Sequence, residues 1–187
     1  MKMTRNHFAH VFAIVGLAAL PACSDATDNN ATDGVTSGDV NLTLAAALGD
    51  SDDLGTLTGA VANAGLNAVF DGAGSYTLLA PTDAAFEALG EDGKTLLSEA
   101  QKPILVGILR EHVLPGHMRP EDISAAIDKA NGSVTMTTLG GGEVTFTRDG
   151  ETLTVTNSAG TTAAFTGTAL AASNGVVIPI GTVLTPQ

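Results

Sequence analysis

Cysteine is almost absent from this chain: Cys23 is the only one in 187 residues. One thiol closes no intramolecular disulfide and builds no cysteine-based zinc site. Basic residues are scarce too. Eight Lys and Arg face 20 Asp and Glu, for a formal net charge of −12. A chain this acidic, with no basic run, lacks the electrostatic footprint of a nucleic-acid binder. Long apolar runs are missing as well. The longest, Val11 to Leu20, is about half of the roughly twenty residues that a membrane-crossing helix needs. No permanent transmembrane helix is therefore expected. What is present is enough apolar material for a core. At 44% hydrophobic residues the chain is too apolar for wholesale disorder. Its length suits a leader plus one ordinary domain.

The leader is readable from charge order. Lys2 and Arg5 precede the apolar run, with no acid among them, which is the layout of a secretory signal. The run ends in Leu20-Pro21-Ala22-Cys23, which resembles the bacterial lipobox. That resemblance implies cleavage before Cys23 and a diacylglycerol on its thiol, with Ser24 favouring the outer membrane over retention at the inner one. The alternative is an ordinary signal cut nearby, for example after Ala26, giving a secreted or soluble periplasmic protein. Removing residues 1–22 takes away Lys2 and Arg5 and no acid, so −12 becomes −14. Such a charge disfavours direct docking on anionic headgroups. From Cys23, residues 23–40 form the anchor site and an acidic linker of Asp, Asn, Thr, Ser and Gly, too polar to offset the entropy of ordering. Its acids match no EF-hand spacing.

Residues 41–187 read as one α+β domain. Ser51-Asp52-Asp53 is a helix start before Leu54, Leu57, Val61 and Ala64, and Gly65 is its stop. Tyr76 to Ala80 is a short apolar strand that Pro81 ends; Thr82 or Asp83 then caps a helix carrying Phe86 and Leu89. Pro103 fits the first turn of a helix from about Gln101 to Glu111, and Pro120 with Glu121 and Asp122 opens another through Ile127. Beyond 133 the period becomes two: Val134 and Met136, Val144 and Phe146, Leu153 and Val155 alternate with polar residues. These are strands with one buried face. Asp149-Gly150 signals a tight hairpin, and Gly140-Gly141-Gly142 a looser turn. Neither the helices nor the strands have apolar surface enough to fold alone.

Three segments carry a more specific signal. Thr77-Leu-Leu-Ala-Pro-Thr-Asp-Ala-Ala-Phe86 resembles the first signature of the fasciclin (FAS1) domain. Ile108-Leu-Arg-Glu-His-Val-Leu-Pro-Gly116 is similar to its central segment, and Asn174-Gly-Val-Val-Ile-Pro-Ile-Gly-Thr-Val-Leu-Thr-Pro186 to its closing one. The resemblance implies a β-wedge of antiparallel strands flanked by a cluster of helices. It also implies structural roles for Pro81, Thr82, Asp83, Phe86, His112, Pro115, Gly116, Asn174, Gly175 and Pro186. Three positions depart from the family pattern: Glu111 stands where Tyr is common, Ile178 where His is, and Gly181 where Asp is. Some animal members carry integrin-binding Asp-Ile motifs, but Asp122-Ile123 here reads as the opening of a helix.

His112 is the one tempting catalytic candidate. At about 100° per residue, Ile104, Ile108 and His112 share an apolar stripe that Leu105 and Leu109 border, with Glu111 nearer its edge. His112 should therefore point inward and be satisfied by a hydrogen bond, expected at the Thr82-Asp83 loop. A metal reading would use His112, His117 and Glu121 or Asp122, but His112 and His117 lack the spacing of a zinc helix, and Pro115-Gly116 turns the chain between them. No Gly-x-Ser-x-Gly elbow or phosphate loop is present. The expectation is a non-enzymatic module without cofactor, lipid-anchored through Cys23 at a bacterial envelope and binding a protein or polysaccharide at the cell surface. The alternative is a periplasmic module that binds a small ligand or envelope component. A hydrolase built on His112 is the third, least favoured reading.

Overall fold

The computed structural model of the protein describes residues 35–36 and 42–185. Cys23, Pro186, the leader and most of the expected linker lie outside the described residues. The helical half of the domain holds α1 (Leu44–Gly49), α2 (Gly55–Ala64), α3 (Asn67–Phe70), α4 (Asp83–Glu87), α5 (Glu91–Leu96), α6 (Lys102–Glu111) and α7 (Pro120–Lys129). The strands are β1 (Val35–Thr36), β2 (Tyr76–Pro81), β3 (Val113–Pro115), β4 (Ser133–Thr137), β5 (Glu143–Asp149), β6 (Thr152–Asn157), β7 (Thr162–Ala164), β8 (Ala169–Ala172) and β9 (Gly175–Ile180). They form a five-stranded sheet in the order β1-β8-β9-β2-β3 and a four-stranded sheet in the order β4-β5-β6-β7. The α+β class is as expected. The smaller sheet is wholly antiparallel, whereas β2 and β9 at the centre of the larger one run parallel.

Burial explains the sequence of the central strands. Leu78, Ala80 and Val177 join the helix-side core with Leu44, Leu57, Phe70, Phe86 and Leu105. Leu79, Val176 and Ile178 face the opposite way, into a second core with Ile123, Ile127, Val144, Phe146 and Val155. The five-stranded sheet is thus covered on both faces, and β2 and β9 read as continuous apolar runs rather than alternating ones. The second sheet has one buried face, which the alternation in β4, β5 and β6 predicts. Phe146 meets Phe165 edge-on there, with ring centroids 6.1 Å apart.

Four local expectations need correction. Pro81 is itself the last residue of β2, paired with Ile180 of β9, so the strand runs one residue past the expected end at Ala80. The N–H that Pro81 lacks would point to the β3 side, where the last bond is Leu79 N–H to the His112 carbonyl; Thr82 N–H carries the ladder on to the Ile180 carbonyl. Helix α2 starts at Gly55 rather than at Ser51-Asp52-Asp53, and its N-cap Leu54 makes no side-chain cap. The β5–β6 hairpin turns one residue later than expected, through Gly150 and Glu151, because Asp149 pairs with Thr152 and Gly150 takes φ 61°. Finally, Val35 and Thr36, expected in a solvated linker, pair in parallel with Ala169 and Leu170 of β8. An open sheet edge recruits such a segment through backbone groups alone. Gly65 closes α2 as expected, at φ 74°.

Candidate functional site

The three motif segments converge on backbone ends. Thr82 caps α4, its side chain accepting from Ala85 N–H at 3.3 Å. Asp83 does something the sequence reading did not anticipate: its Oδ1 accepts from Thr56 N–H at 2.7 Å, while its own N–H donates to the Asp53 carbonyl at 2.9 Å. The missing cap of α2 is therefore supplied from 27 residues downstream. A carboxylate there also meets the positive end of the helix dipole. Phe86, on the next turn of α4, is buried in the helix-side core and holds this junction in place.

Asn174 is the counterpart at α1. Its Oδ1 accepts from Leu44 N–H at 2.8 Å, and its Nδ2 donates to the carbonyls of Phe70 at 2.7 Å and Gly72 at 2.8 Å. One side chain so joins the start of α1, the end of α3 and the entry to β9. Gly175 beside it has no alternative: a Cβ there would lie 2.1 Å from the Tyr76 carbonyl oxygen and 2.8 Å from Leu44 Cδ1. Pro115 and Gly116 form the turn after β3, where Gly116 adopts φ 98°. Thr77 Oγ1 donates to the Gly116 carbonyl at 2.8 Å and accepts from Met118 N–H at 2.9 Å, so the turn is pinned to β2.

His112 is buried, as its place on the α6 stripe predicts, but its partners are not at Thr82-Asp83. Nδ1 lies 2.8 Å from the Ile108 carbonyl, and Nε2 lies 3.0 Å from Leu184 N–H. Nε2 must accept, so the proton resides on Nδ1, and both ring nitrogens are occupied. Burial pushes its pKa from 6.5 down to about 4, against the opposing pull of the Ile108 carbonyl and the Glu111 charge. A neutral imidazole with no free nitrogen has neither a base to offer a substrate nor a lone pair to offer a metal. Among the described residues no three His, Cys, Asp or Glu side chains form a metal-binding group. Ile104 leaves the predicted stripe: it is 54% exposed, whereas Leu105, Ile108 and Leu109 are buried.

Sequence reasoning missed a junction around Glu111. Its Oε2 accepts from Thr138 Oγ1 at 2.6 Å and its Oε1 from Gly142 N–H at 3.3 Å. The carboxylate fills the space that side chains at 140 and 142 would need, since a Cβ at Gly140 or Gly142 would fall within about 2.3 Å of it. The glycine run is thus a cradle for a helix-borne carboxylate, and the signal available was an acid at the stripe edge together with a triple glycine. A groove of about 600 Å³ opens beside it, with Ile104, Ile108 and Leu184 on its apolar side and Glu111 among its polar groups. Gly107, in mid-helix with nothing within 4 Å of its missing Cβ, leaves the groove wide.

Residues 52–186 match the Fasciclin domain. The chain belongs to the Fasciclin domain family. Over 77 residues, 41% of this chain, it is 39% identical to the transforming growth factor-beta-induced protein ig-h3 of Sus scrofa. The matched segment is only 11% of that relative's length. A solved FAS1 domain pair from the insect cell adhesion molecule fasciclin I has the same fold, with TM-score 0.56 and 21% identity; the likeness covers 69% of this chain and 43% of that one. In this FAS1 domain the family segments act as structural clasps. Thr82, Asp83, His112, Asn174 and Gly175 each secure a helix end, a strand end or the C-terminal segment, and Thr82 and Asp83 also line a cavity of about 460 Å³ with Ser51 and Asp53.

Proposed function

We propose that this chain is a non-enzymatic adhesion or interaction module displayed at a bacterial envelope, held by a lipid on Cys23 and reaching outward through its acidic linker. Membership of the Fasciclin domain family carries this reading, together with the fold shared with an insect cell adhesion molecule. One observation supports it: His112, the candidate for chemistry, has both ring nitrogens committed. Attachment is assigned to the lipobox-like segment ending at Cys23. Its partner is a protein or polysaccharide at the cell surface. Two acyl chains or more on one residue anchor firmly where one alone is marginal.

The test has two arms. Cys23→Ser should move the protein from the membrane to the soluble fraction and abolish incorporation of labelled fatty acid. Deleting the gene should reduce attachment or aggregation of the cells. Unchanged attachment, with no partner captured by crosslinking in intact cells, would remove support for adhesion. The second reading is a periplasmic module for a small ligand or envelope component. The groove beside Glu111 favours it, being within the size range of small-molecule sites. A molecule copurifying with the domain and lost on filling the groove at Gly107 would establish that reading instead.

A further inference from the structure

The four-stranded sheet turns Val144, Phe146, Val155 and Ala163 into the core, and none of the side chains on its other face is buried. Most of that face is threonine, with Ser133, Glu143, Asp149 and Ala164 toward its margins. Register sets the hydroxyls in rows: Thr135 on β4 faces Thr145 on β5, which faces Thr156 on β6, which faces Thr162 on β7. In the neighbouring row Thr147 faces Thr154. The hydroxyls also pair across strands, at 3.0 Å for Thr135 and Thr145, 2.8 Å for Thr147 and Thr154, and 2.9 Å for Thr156 and Thr162. Four strands place the long row over roughly 14 Å, with the next row about 7 Å away. Threonine is stiff at χ1, so the hydroxyls and methyls are held in place before any partner arrives. The Thr135–Thr145 and Thr156–Thr162 pairs each consume one hydroxyl proton and keep the other for a partner, whereas Thr154 also donates to the Thr147 carbonyl at 3.4 Å, so that pair offers lone pairs only.

The chemistry of the face selects its occupant. It carries no Lys or Arg, and its charges are Glu143 and Asp149 at the ends of β5. An anionic polymer is repelled by these acids and by a chain of net charge −12. An apolar partner would bury the hydroxyls without returning their hydrogen bonds, which is costly. The complement is uncharged, dense in hydroxyl donors and acceptors, and patterned with C–H surface for the methyls. We propose that this threonine face binds a neutral polysaccharide lying along the row of Thr135, Thr145, Thr156 and Thr162. Adjacent strands twist by about 20–25°, turning the row out of a single plane. A flexible polymer follows such a twist; a crystal face such as ice does not. The proposal rests on the adhesion reading and names its partner class and binding face.

Affinity electrophoresis of the full chain through gels containing neutral polysaccharides (dextran, starch, hydroxyethyl cellulose, a β-glucan) or anionic alginate tests it. The wild-type protein should be retarded by at least one neutral polymer, with little effect of added salt, and not by alginate. Combined Thr145→Val, Thr154→Val and Thr156→Val substitutions keep shape and β propensity and should weaken retardation about tenfold or more, with the thermal midpoint nearly unchanged. If that variant does not fold, Thr135→Val with Thr162→Val, at the exposed ends of the row, should give the same loss. No retardation by any neutral polymer, retardation by alginate alone, preferential adsorption to ice, or unaltered binding by a folded Val variant would each overturn the proposal. Cells settle which claim fails. If deletion abolishes attachment but cells carrying the Val variant attach normally, the face is wrong and adhesion stands. If glycan binding depends on the threonines but deletion leaves attachment intact, the face stands and adhesion falls.

Discussion

Nε2 of His112 accepts a hydrogen bond from the backbone N–H of Leu184, 3.0 Å away and 72 residues later in the chain. With Nδ1 donating to the Ile108 carbonyl, the ring fastens the end of α6 to the C-terminal segment. Protonating Nε2 would set one donor against another inside the core. The folded pKa is about 4 and the unfolded one 6.5, so between these values the unfolded chain binds more protons than the folded one. Stability from His112 is fully present above pH 6.5 and is lost as pH falls toward 4, by about 3 kcal/mol at most. Urea midpoints measured from pH 7.5 down to 4 should show that decline. His112→Gln should be less stable at neutral pH and flatter across the window. An equal slope in both proteins would assign the decline to other groups.

Asp83 serves two helix starts, accepting from Thr56 N–H at α2 and standing in the first turn of α4. Asp83→Ala removes the acceptor for Thr56 N–H and should cost about 1–2 kcal/mol, in the range of lost N-caps. Asp83→Asn keeps an acceptor oxygen and loses the charge at the start of α2, so a cost of about 0.5–1 kcal/mol is expected. Thermal unfolding of the three proteins should rank wild type, Asn, Ala. If Asn and Ala were equally destabilised, the acceptor would not be what matters.

The difference between Asp83 and Gly65 shows what a sequence discloses. Gly65 ends its own helix through local backbone geometry, so the turn is legible from neighbouring residues. The cap that Asp83 gives to α2 depends on a fold that brings two loops together, and nothing within α2 announces it. His112 divides the same way. Its inward direction follows from the period of α6, while its partner Leu184 comes from a distant segment, and the nearer Thr82-Asp83 loop was the wrong expectation. Alternation exposed the threonine face of the second sheet, but pairing its hydroxyls needs the register between strands. In β2, burial on both faces erases alternation, yet the proline still marks the end of the strand to within one residue.

Two glycines that look alike in sequence should respond oppositely to alanine. At Gly107 the added methyl meets nothing within 4 Å, and the position is interior to α6. Gly107→Ala should therefore stabilise by about 0.5–1 kcal/mol. At Gly175 the methyl would collide with the Tyr76 carbonyl oxygen at 2.1 Å. β2 and β9 would have to separate where their register begins, so Gly175→Ala should cost at least about 3 kcal/mol or prevent folding. Soluble yield and thermal midpoints distinguish the two cases. A mild effect at 175 would mean that the β2–β9 pairing yields more readily than its buried surroundings imply.

Glu111 holds the Gly140-Gly141-Gly142 loop, and its variants should report that. Glu111→Gln can keep both contacts, its Oε1 accepting from Gly142 N–H and its Nε2 donating to Thr138 Oγ1, a hydroxyl that accepts as well as donates. Losing the charge weakens both bonds, so a cost of about 0.5–1.5 kcal/mol is expected. Glu111→Ala instead empties the glycine cradle, leaving both donors to water that enters from the neighbouring groove. Gln is thus expected to be less destabilising than Ala, which leaves both Thr138 and Gly142 without their partner. Amide hydrogen exchange at Gly142 should quicken in Glu111→Ala, whose side chain offers its N–H no acceptor, and change less in Glu111→Gln. Unchanged exchange at Gly142 with a lowered midpoint would place the contribution of Glu111 in helix α6 instead of in the Gly140-Gly141-Gly142 loop.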